Sequence, residues 1–346
     1  MRHPPAGVTG PAPGLGFAGG DPGIRLRPAR PDDLPACTEV WCAGLNDYGV
    51  RVGRPPMPRV LATLETVLAH VLDTDPGRFR VAVRPAGPGG GGANDAPTTP
   101  AGEQLVGFAS ATLRDRTWFL AMLFVLPAEQ DRGLGSALLR RVFPRPGEAD
   151  VRATCTDAAQ PISNALYARF GIVPRVPILE LVGRADRAPL PGLPAGVRAV
   201  PFEILEGPPG SPGAGRLAGS LDALDRATLG YAHPADHAYL RASRRLGYLY
   251  ESPGGELLGY GYTSEVGRVG PLAVTDPELT AAVLGHLLGA VTPAGAYAAW
   301  VPGTNDRAVV ALLGAGLRIE DFPALLCWDR PFGAFDRYVP TSLAIL

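Results

Sequence analysis

A short polar loop between an apolar run and an apolar helical pattern is the part of this chain best suited to bind an anion. The segment LFVLPAEQDRGLGSALL occupies residues 123–139, with Gly133 and Gly135 one residue apart where the helical pattern resumes. Glycines let a backbone approach a ligand closely. Successive N–H groups at a helix start form an anion site, to which Arg132 adds a cation suited to phosphate. The loop therefore predicts a pyrophosphate site, with tight helix packing as the alternative reason for its glycines.

The spacing of these glycines excludes two common nucleotide-binding motifs. A dinucleotide fingerprint has its first glycine directly after a strand, and a third glycine or alanine three residues after the second. Here six residues separate Leu126 from Gly133, and Leu138 stands at the third position. A P-loop is excluded as well, because no Gly-Lys-Ser/Thr follows.

The elements around the loop are predicted to occur twice along the chain. Hydrophobic periodicity over residues 25–183 gives the order β-α-α-β-β-β-α-β-α-β, with a helix from Gly133, and residues 197–346 repeat that order. Leu-Val-Gly-Phe-Ala at 105–109 has a counterpart in Leu-Leu-Gly-Tyr-Gly at 257–261. We therefore predict a duplicated domain.

Stretches rich in glycine and proline mark the predicted boundaries. Residues 1–24 are predicted to be a disordered tail, 86–103 a flexible insertion between strands, and 184–196 a linker. The two domains are thus expected at 25–183 and 197–346.

Composition narrows the choice of partners. The formal net charge of the 346 residues is −1, from 32 Lys+Arg against 33 Asp+Glu, which gives no general attraction to nucleic acid or to an anionic membrane. No apolar run approaches the roughly 18 residues of a membrane span, and the N-terminus has no apolar signal core. The four cysteines show no C-x-x-C spacing. We expect a cytoplasmic, bacterial protein, monomeric or homodimeric.

The loop resembles the acetyl-CoA loop of the GNAT N-acetyltransferase superfamily. The resemblance rests on Val125, Pro127, Gln130, Arg132, Gly133, Gly135 and Ala137, and on Leu-Tyr-Ala-Arg-Phe-Gly-Ile at 166–172. It implies an α/β (α+β) fold with two tandem GNAT-like domains, each a mixed, mostly antiparallel sheet flanked by helices. It also implies acetyl-CoA as cosubstrate, bound by Leu123, Phe124, Val125, Gln130, Asp131, Arg132, Gly133, Leu134, Gly135, Ser136 and Gln160.

The resemblance further implies a direct transfer to a primary amine in a ternary complex. Backbone groups of Leu123–Val125 would polarise the thioester, and Tyr167 would protonate the departing thiolate, unless its ring merely packs. The strand WFLAMLFV has no carboxylate or histidine to act as a base. Asp47 is a candidate base or amine anchor between the first two helices, with water or a solvated loop role as alternatives. A non-catalytic acyl-CoA sensor or scaffold is the competing function.

The second half is expected to have lost the cofactor chemistry. When the halves are aligned without gaps from Val125 and Val274, Ala281, Ala282 and Leu284 fall opposite Arg132, Gly133 and Gly135. The second domain is therefore predicted to have a structural or substrate-shaping role. His233 and His237 stand four residues apart, but without the Glu of a zinc motif or an obvious third ligand no metal site is predicted.

Overall fold

The computed structural model describes residues 23–56, 61–85, 96–207 and 212–346. Most of the predicted tail at 1–24 and most of the predicted insertion at 86–103 lie outside these ranges. None of the described helices is both long and apolar enough to cross a lipid bilayer.

The elements before residue 184 follow the predicted order. They are β1 (Arg25–Pro28), α1 (Leu34–Arg51), α2 (Leu61–Thr74), β2 (Phe79–Pro85), β3 (Glu103–Arg114), β4 (Thr117–Val125), α3 (Leu134–Val142), β5 (Val151–Asp157), α4 (Pro161–Arg169) and β6 (Val173–Gly183).

The second half repeats this order with local departures. Its elements are β7 (Arg198–Pro201), α5 (Phe202–Glu206), α6 (Pro212–Thr228), α7 (Pro234–Ala242), β8 (Leu246–Glu251), β9 (Leu257–Thr263), β10 (Arg268–Val269), β11 (Leu272–Val274), α8 (Thr280–Ala290), β12 (Tyr297–Pro302), α9 (Asp306–Gly314), β13 (Arg318–Trp328) and β14 (Tyr338–Val339). A single strand was expected where β10 and β11 stand. It is divided next to Pro271, which has no N–H for a strand ladder.

The described chain forms two compact units that cut across the predicted domain boundaries. The first contains the residues up to Ala111 with Met122–Phe143 and Gln160–Val173, and the second contains Thr112–Ala121, Pro144–Ala159 and the residues from Pro174 onward. The predicted domains at 25–183 and 197–346 stay a prediction about the duplicated sequence.

Within the second unit, the two sequence halves exchange their last strands. β13 pairs antiparallel with β5, as in Leu326 opposite Cys155, and β6 pairs antiparallel with β12. A second, five-stranded sheet has the order β14-β11-β9-β8-β7. The five-stranded sheet is antiparallel, and the other sheet is mixed, with parallel pairs β4–β5 and β10–β12. These sheets and the helices that flank them confirm the predicted fold class.

The first unit places α1 over the end of β4. β1, β2, β3 and β4 are neighbours in that order. A chain of aromatic rings leads from the sheet to α1, with centroid distances of 5.8 Å between Phe79 and Phe108, 5.7 Å between Phe108 and Phe124, and 5.6 Å between Phe124 and Trp41. Ring contacts of this kind favour one orientation of the groups they join.

A buried ionic cluster fixes the start of α1. Arg27 donates two hydrogen bonds to Asp33, of 2.6 and 2.7 Å, and two more to Glu103, of 3.0 and 2.8 Å. Paired donors of a guanidinium to a carboxylate combine charge with fixed geometry. These bonds hold the residue before α1 against β1 and β3 and raise the pKa of Arg27 above its ordinary value, against the opposing effect of burial.

Candidate active site

The loop predicted to bind pyrophosphate lies between β4 and α3 and has the backbone that the prediction requires. After a 3-10 turn at Pro127–Glu129, Asp131 has φ 60° and Gly133 has φ 78°, and α3 begins at Leu134. No described side chain caps this helix, and its first internal hydrogen bond runs from the Ala137 N–H to the Gly133 carbonyl. The N–H groups of residues 134–136 therefore lie at the start of the helix without an intrahelical acceptor. Such free N–H groups at a helix N-terminus can bind an anion.

A buried carboxylate in the turn before the loop forms ion pairs with two arginines. Glu129 is 2% exposed, and its two oxygens accept from Arg84 at 2.7 Å and from Arg132 at 3.2 Å. The Arg132 side chain stays 59% exposed. Glu129 thus holds Arg132 beside the helix start, where its guanidinium stays accessible to an anion. Glu129 is not among the site residues predicted from sequence, although a spacing of three residues from Arg132 allows this ion pair.

The end of β4 contacts both the loop and strand β3. The Gln130 side-chain amide donates to the Val125 carbonyl at 3.1 Å. Behind the strand, a Cβ on Gly107 would lie 3.0 Å from the Phe124 carbonyl oxygen and 3.3 Å from the Val125 side chain. Gly107 therefore allows β3 to approach the backbone of Leu123–Val125 more closely than another residue would.

Helix α4 places Tyr167 in the same unit as the loop. Leu166, its neighbour in sequence, is the closest side chain to Gly135, 3.6 Å from the position of a Cβ there. Tyr167 itself is 5% exposed. Gln160 is the N-cap of α4, where its side-chain oxygen accepts from the Ile162 N–H at 3.4 Å. Its predicted contact with the cofactor stays a prediction.

Asp47 lies inside a helix, which corrects its expected place between two helices. α1 continues to Arg51, because the stop signal is Gly53 with φ +80° and not Asn46-Asp47. Asp47 forms an ion pair with Arg51 at 2.5 Å, one turn along the helix. Gly44 lies one turn before Asp47 and packs against Phe124. A Cβ built on Gly44 would lie 3.3 Å from the Phe124 ring. Asp47 thus lies on the helix that covers the end of β4, with its carboxylate already paired.

The segment that contains the candidate site is similar in sequence to a known protein family. Residues 92–172 match the sequence profile of the Acetyltransferase (GNAT) family. This part of the N-terminal half is similar to a GNAT domain. The matched range contains the loop, α3 and all of α4, while no curated protein sequence matches the chain.

Solved structures extend the likeness to the tandem architecture. A protein of Pyrococcus horikoshii described as a candidate acetyltransferase superposes with a TM-score of 0.66 at 18% identity, covering 96% of this chain and 98% of that one. A GCN5-related N-acetyltransferase from Sphaerobacter thermophilus gives 0.56 at 17%, covering 90% and 97%. A tandem GNAT protein from the clavulanic acid biosynthesis pathway gives 0.51 at 16%, covering 89% and 99%. At these identities the likeness shows the fold: two GNAT-like halves in one chain.

The second GNAT-like half repeats the strands of the first and lacks its loop. In each half a strand glycine packs closely against a backbone carbonyl of the next strand. Gly259 packs against the Ala273 carbonyl, and Gly107 packs against the Phe124 carbonyl. After β11, however, the 3-10 turn Pro277–Leu279 runs directly into α8, so residues 130–133 have no counterpart. The gapless alignment therefore fails beyond the turn. Asp276 accepts from the Glu278 N–H at 3.0 Å and so caps the 3-10 turn before α8.

Proposed function

We propose that the N-terminal GNAT domain transfers an acetyl group from acetyl-CoA to a primary amine. The observation that carries the proposal is the uncapped start of α3 behind the left-handed Gly133, with Arg132 exposed beside it. GNAT proteins use acetyl-CoA, and the loop offers the N–H groups and positive charge that its pyrophosphate needs. Leu123, Phe124, Val125, Gln130, Asp131, Arg132, Gly133, Leu134, Gly135, Ser136 and Gln160 are the proposed contacts.

In the proposed reaction the amine nitrogen attacks the thioester carbonyl carbon. A C–N bond forms, the C–S bond breaks, and CoA leaves as a thiolate. Backbone N–H groups of Leu123–Val125 would stabilise the developing oxyanion, and one such donor is typically worth about 2.7–4 kcal/mol. Tyr167 would give its proton to the thiolate, while Asp47 or water would accept the proton lost by the amine.

The test is a measurement of both binding and turnover. Calorimetry measures acetyl-CoA affinity, and release of the CoA thiol is followed against a panel of primary amines on small molecules, peptides and proteins. Binding in the micromolar range together with thiol release on at least one amine is the expected result. A chain that binds no acetyl-CoA contradicts the proposal.

The second candidate is a protein that binds acyl-CoA without transferring the acyl group. Two observations favour it: β4 carries no carboxylate or histidine, and Asp47 is held by Arg51. It predicts binding of acetyl-CoA with no thiol release above the buffer rate on any amine. The same experiment therefore separates the enzyme from the sensor or scaffold.

Replacing Gly135 by alanine is expected to weaken acetyl-CoA binding about tenfold or more, the cost of losing one charge-assisted hydrogen bond. In the free protein the new Cβ has room, since it lies 3.6 Å from Leu166 and 4.0 Å from Val125. A loss of affinity would therefore report the approach of the ligand to the backbone. Calorimetry with acetyl-CoA measures the loss, and thermal unfolding checks that the fold is kept.

Gly219→Ala is the matched control for that substitution. Gly219 is also a helical glycine, in α6, and a Cβ there meets no atom within 4 Å. The control should keep its acetyl-CoA affinity and gain at most about 1 kcal/mol of stability from helix propensity. Equal affinities of Gly135→Ala and the unsubstituted chain would mean that phosphate does not approach the start of α3.

A further inference from the structure

Three potential metal ligands meet in the second unit, far along the sequence from the acetyl-CoA loop. Asp225 lies near the end of α6, while His233 and His237 lie at the start of α7. Asp225 is 0% exposed and each histidine is 1% exposed. One ligand atom from each of the three residues lies within 4.8 Å of the other two. The folding of α6 against α7 thus supplies the third ligand that the histidine pair lacks in sequence.

The imidazole of His233 has unused hydrogen-bonding capacity. Neither of its ring nitrogens has a hydrogen-bond partner among the described residues, although Nε2 lies 3.3 Å from Asp225 Oδ1. Its ion contact with Asp225 lacks the geometry of a hydrogen bond, and a buried nitrogen without such a bond costs on the order of 1–3 kcal/mol. A cation between His233 and Asp225 would bond to both groups.

The ligand atoms lie close enough together to share one ion, and each histidine faces a different oxygen of Asp225. His237 Nε2 lies 3.0 Å from Asp225 Oδ2, and His233 Nε2 lies 3.3 Å from Asp225 Oδ1. Tetrahedral zinc with bonds of about 2.0–2.1 Å separates its ligands by roughly 3.3 Å. The two imidazole rings are nearly parallel, with 16° between planes and 4.5 Å between centroids, so both can present a nitrogen on the same side.

Tyrosines fix the orientation of two of these ligands. Tyr260 donates to Asp225 Oδ1 at 2.7 Å, and the Tyr262 hydroxyl lies 2.8 Å from Nδ1 of His237. With Nδ1–H donating to that hydroxyl, His237 Nε2 keeps its lone pair for a metal. Outer contacts of this kind orient metal ligands, and a metal-binding histidine usually makes one through its second nitrogen.

Charge around the cluster is compatible with a cation. Asp225 brings a carboxylate to the cluster, which is a ligand that zinc accepts beside imidazole nitrogens. Asp236, 3.9 Å from His233 Nδ1, is held by two hydrogen bonds from Arg114, of 3.1 and 3.0 Å.

We propose that Asp225, His233 and His237 form a structural site for a divalent transition metal, zinc by its chemistry. Two imidazole nitrogens and one carboxylate suit zinc, whereas calcium and magnesium prefer shells of oxygen. A water molecule would complete the tetrahedron. Because the residues are buried and join α6 to α7, the metal stabilises the second unit and takes no part in acetyl transfer. The proposal does not depend on the acetyltransferase activity.

The test uses the untagged full-length chain, stripped with a chelator and then titrated with Zn²⁺. Metal content per chain, calorimetric affinity and thermal unfolding are measured for the unsubstituted chain and for His233→Gln. His286→Gln is the matched control, since His286 belongs to the same unit, with Nδ1 3.0 Å from the Tyr250 hydroxyl, outside the cluster. We expect one Zn²⁺ per chain, a rise in Tm on addition of Zn²⁺, and no response to Ca²⁺ or Mg²⁺.

The variants decide which residues hold the ion. His233→Gln should weaken Zn²⁺ binding by at least about 100-fold, the upper end of the losses seen for outer-contact changes, while His286→Gln should bind normally. If His233→Gln does not fold, Co²⁺ added to the unsubstituted chain must give the visible absorption of a tetrahedral site. Zn²⁺ binding that is absent, or equal in His233→Gln, overturns the proposal, as does a chain without the Co²⁺ absorption. The cluster would then be a metal-free ion pair between His233 and Asp225.

Discussion

Replacing Tyr167 by phenylalanine is expected to lower kcat by about 10²- to 10⁴-fold, the usual contribution of a general acid. The ring is 5% exposed, so phenylalanine keeps its packing and removes only the hydroxyl that would protonate the CoA thiolate. Because the pyrophosphate loop is untouched, the acetyl-CoA dissociation constant should stay within about twofold. Steady-state thiol release gives kcat, and calorimetry gives the affinity.

Tyr297→Phe is the matched control for the loss of a buried tyrosine hydroxyl. The Tyr297 hydroxyl lies 2.7 Å from the carbonyl oxygens of Leu288 and Val291, so its role is structural. This variant should lose about 0.5–1.5 kcal/mol of stability for a hydrogen bond and keep its kcat. An unchanged kcat in Tyr167→Phe would remove Tyr167 as the acid and leave it a packing residue.

Gly107→Ala is expected to lower kcat on the order of 100-fold, because misplacement of catalytic groups by about 1 Å can cost that much. The new Cβ would stand 3.0 Å from the Phe124 carbonyl oxygen and 3.3 Å from the side chains of Val125 and Leu138. The end of β4 must therefore move, and with it the backbone groups proposed to bind the thioester. Overpacking of this kind also costs about 1–3 kcal/mol of stability, which thermal unfolding measures.

The duplicated half provides the control for this substitution. Gly259→Ala crowds the Ala273 carbonyl in the second unit, where the phosphate loop has no counterpart. The folded molecules of Gly259→Ala should have the kcat of the unsubstituted chain, although the Tm of the variant is lower. If Gly107→Ala keeps kcat within about threefold, the position of the β4 backbone does not limit the reaction.

Tyr167→Phe and Gly107→Ala separate the chemical step from the positioning of the thioester. Loss of a proton donor leaves the bound thioester in place, so only kcat falls. Displacement of β4 changes the backbone that both holds and polarises the thioester, so affinity and kcat fall together. A pattern in which Tyr167→Phe loses affinity and Gly107→Ala does not would reverse the proposed roles.

Local sequence determined the features that depend on neighbouring residues. The α3 start at Gly133 and the turn at Pro127 follow from glycine and proline chemistry, which acts within a few residues. Hydrophobic periodicity gave the order of elements, and repetition of that order, with Gly107 echoed by Gly259, revealed the duplication. The similarity of the N-terminal half to the GNAT family could likewise be inferred from one loop and one helix.

Tertiary structure alone decided what depends on residues far apart in the chain. Asp225 joins His233 and His237 because α6 and α7 fold together, and Glu129 meets Arg84 across 45 positions of sequence. The exchange of β6 and β13 likewise cannot be read from either half, since both strands look like the end of their own domain. Periodicity records which face of an element is buried and not which neighbour buries it, so partners of this kind appear only in the folded chain.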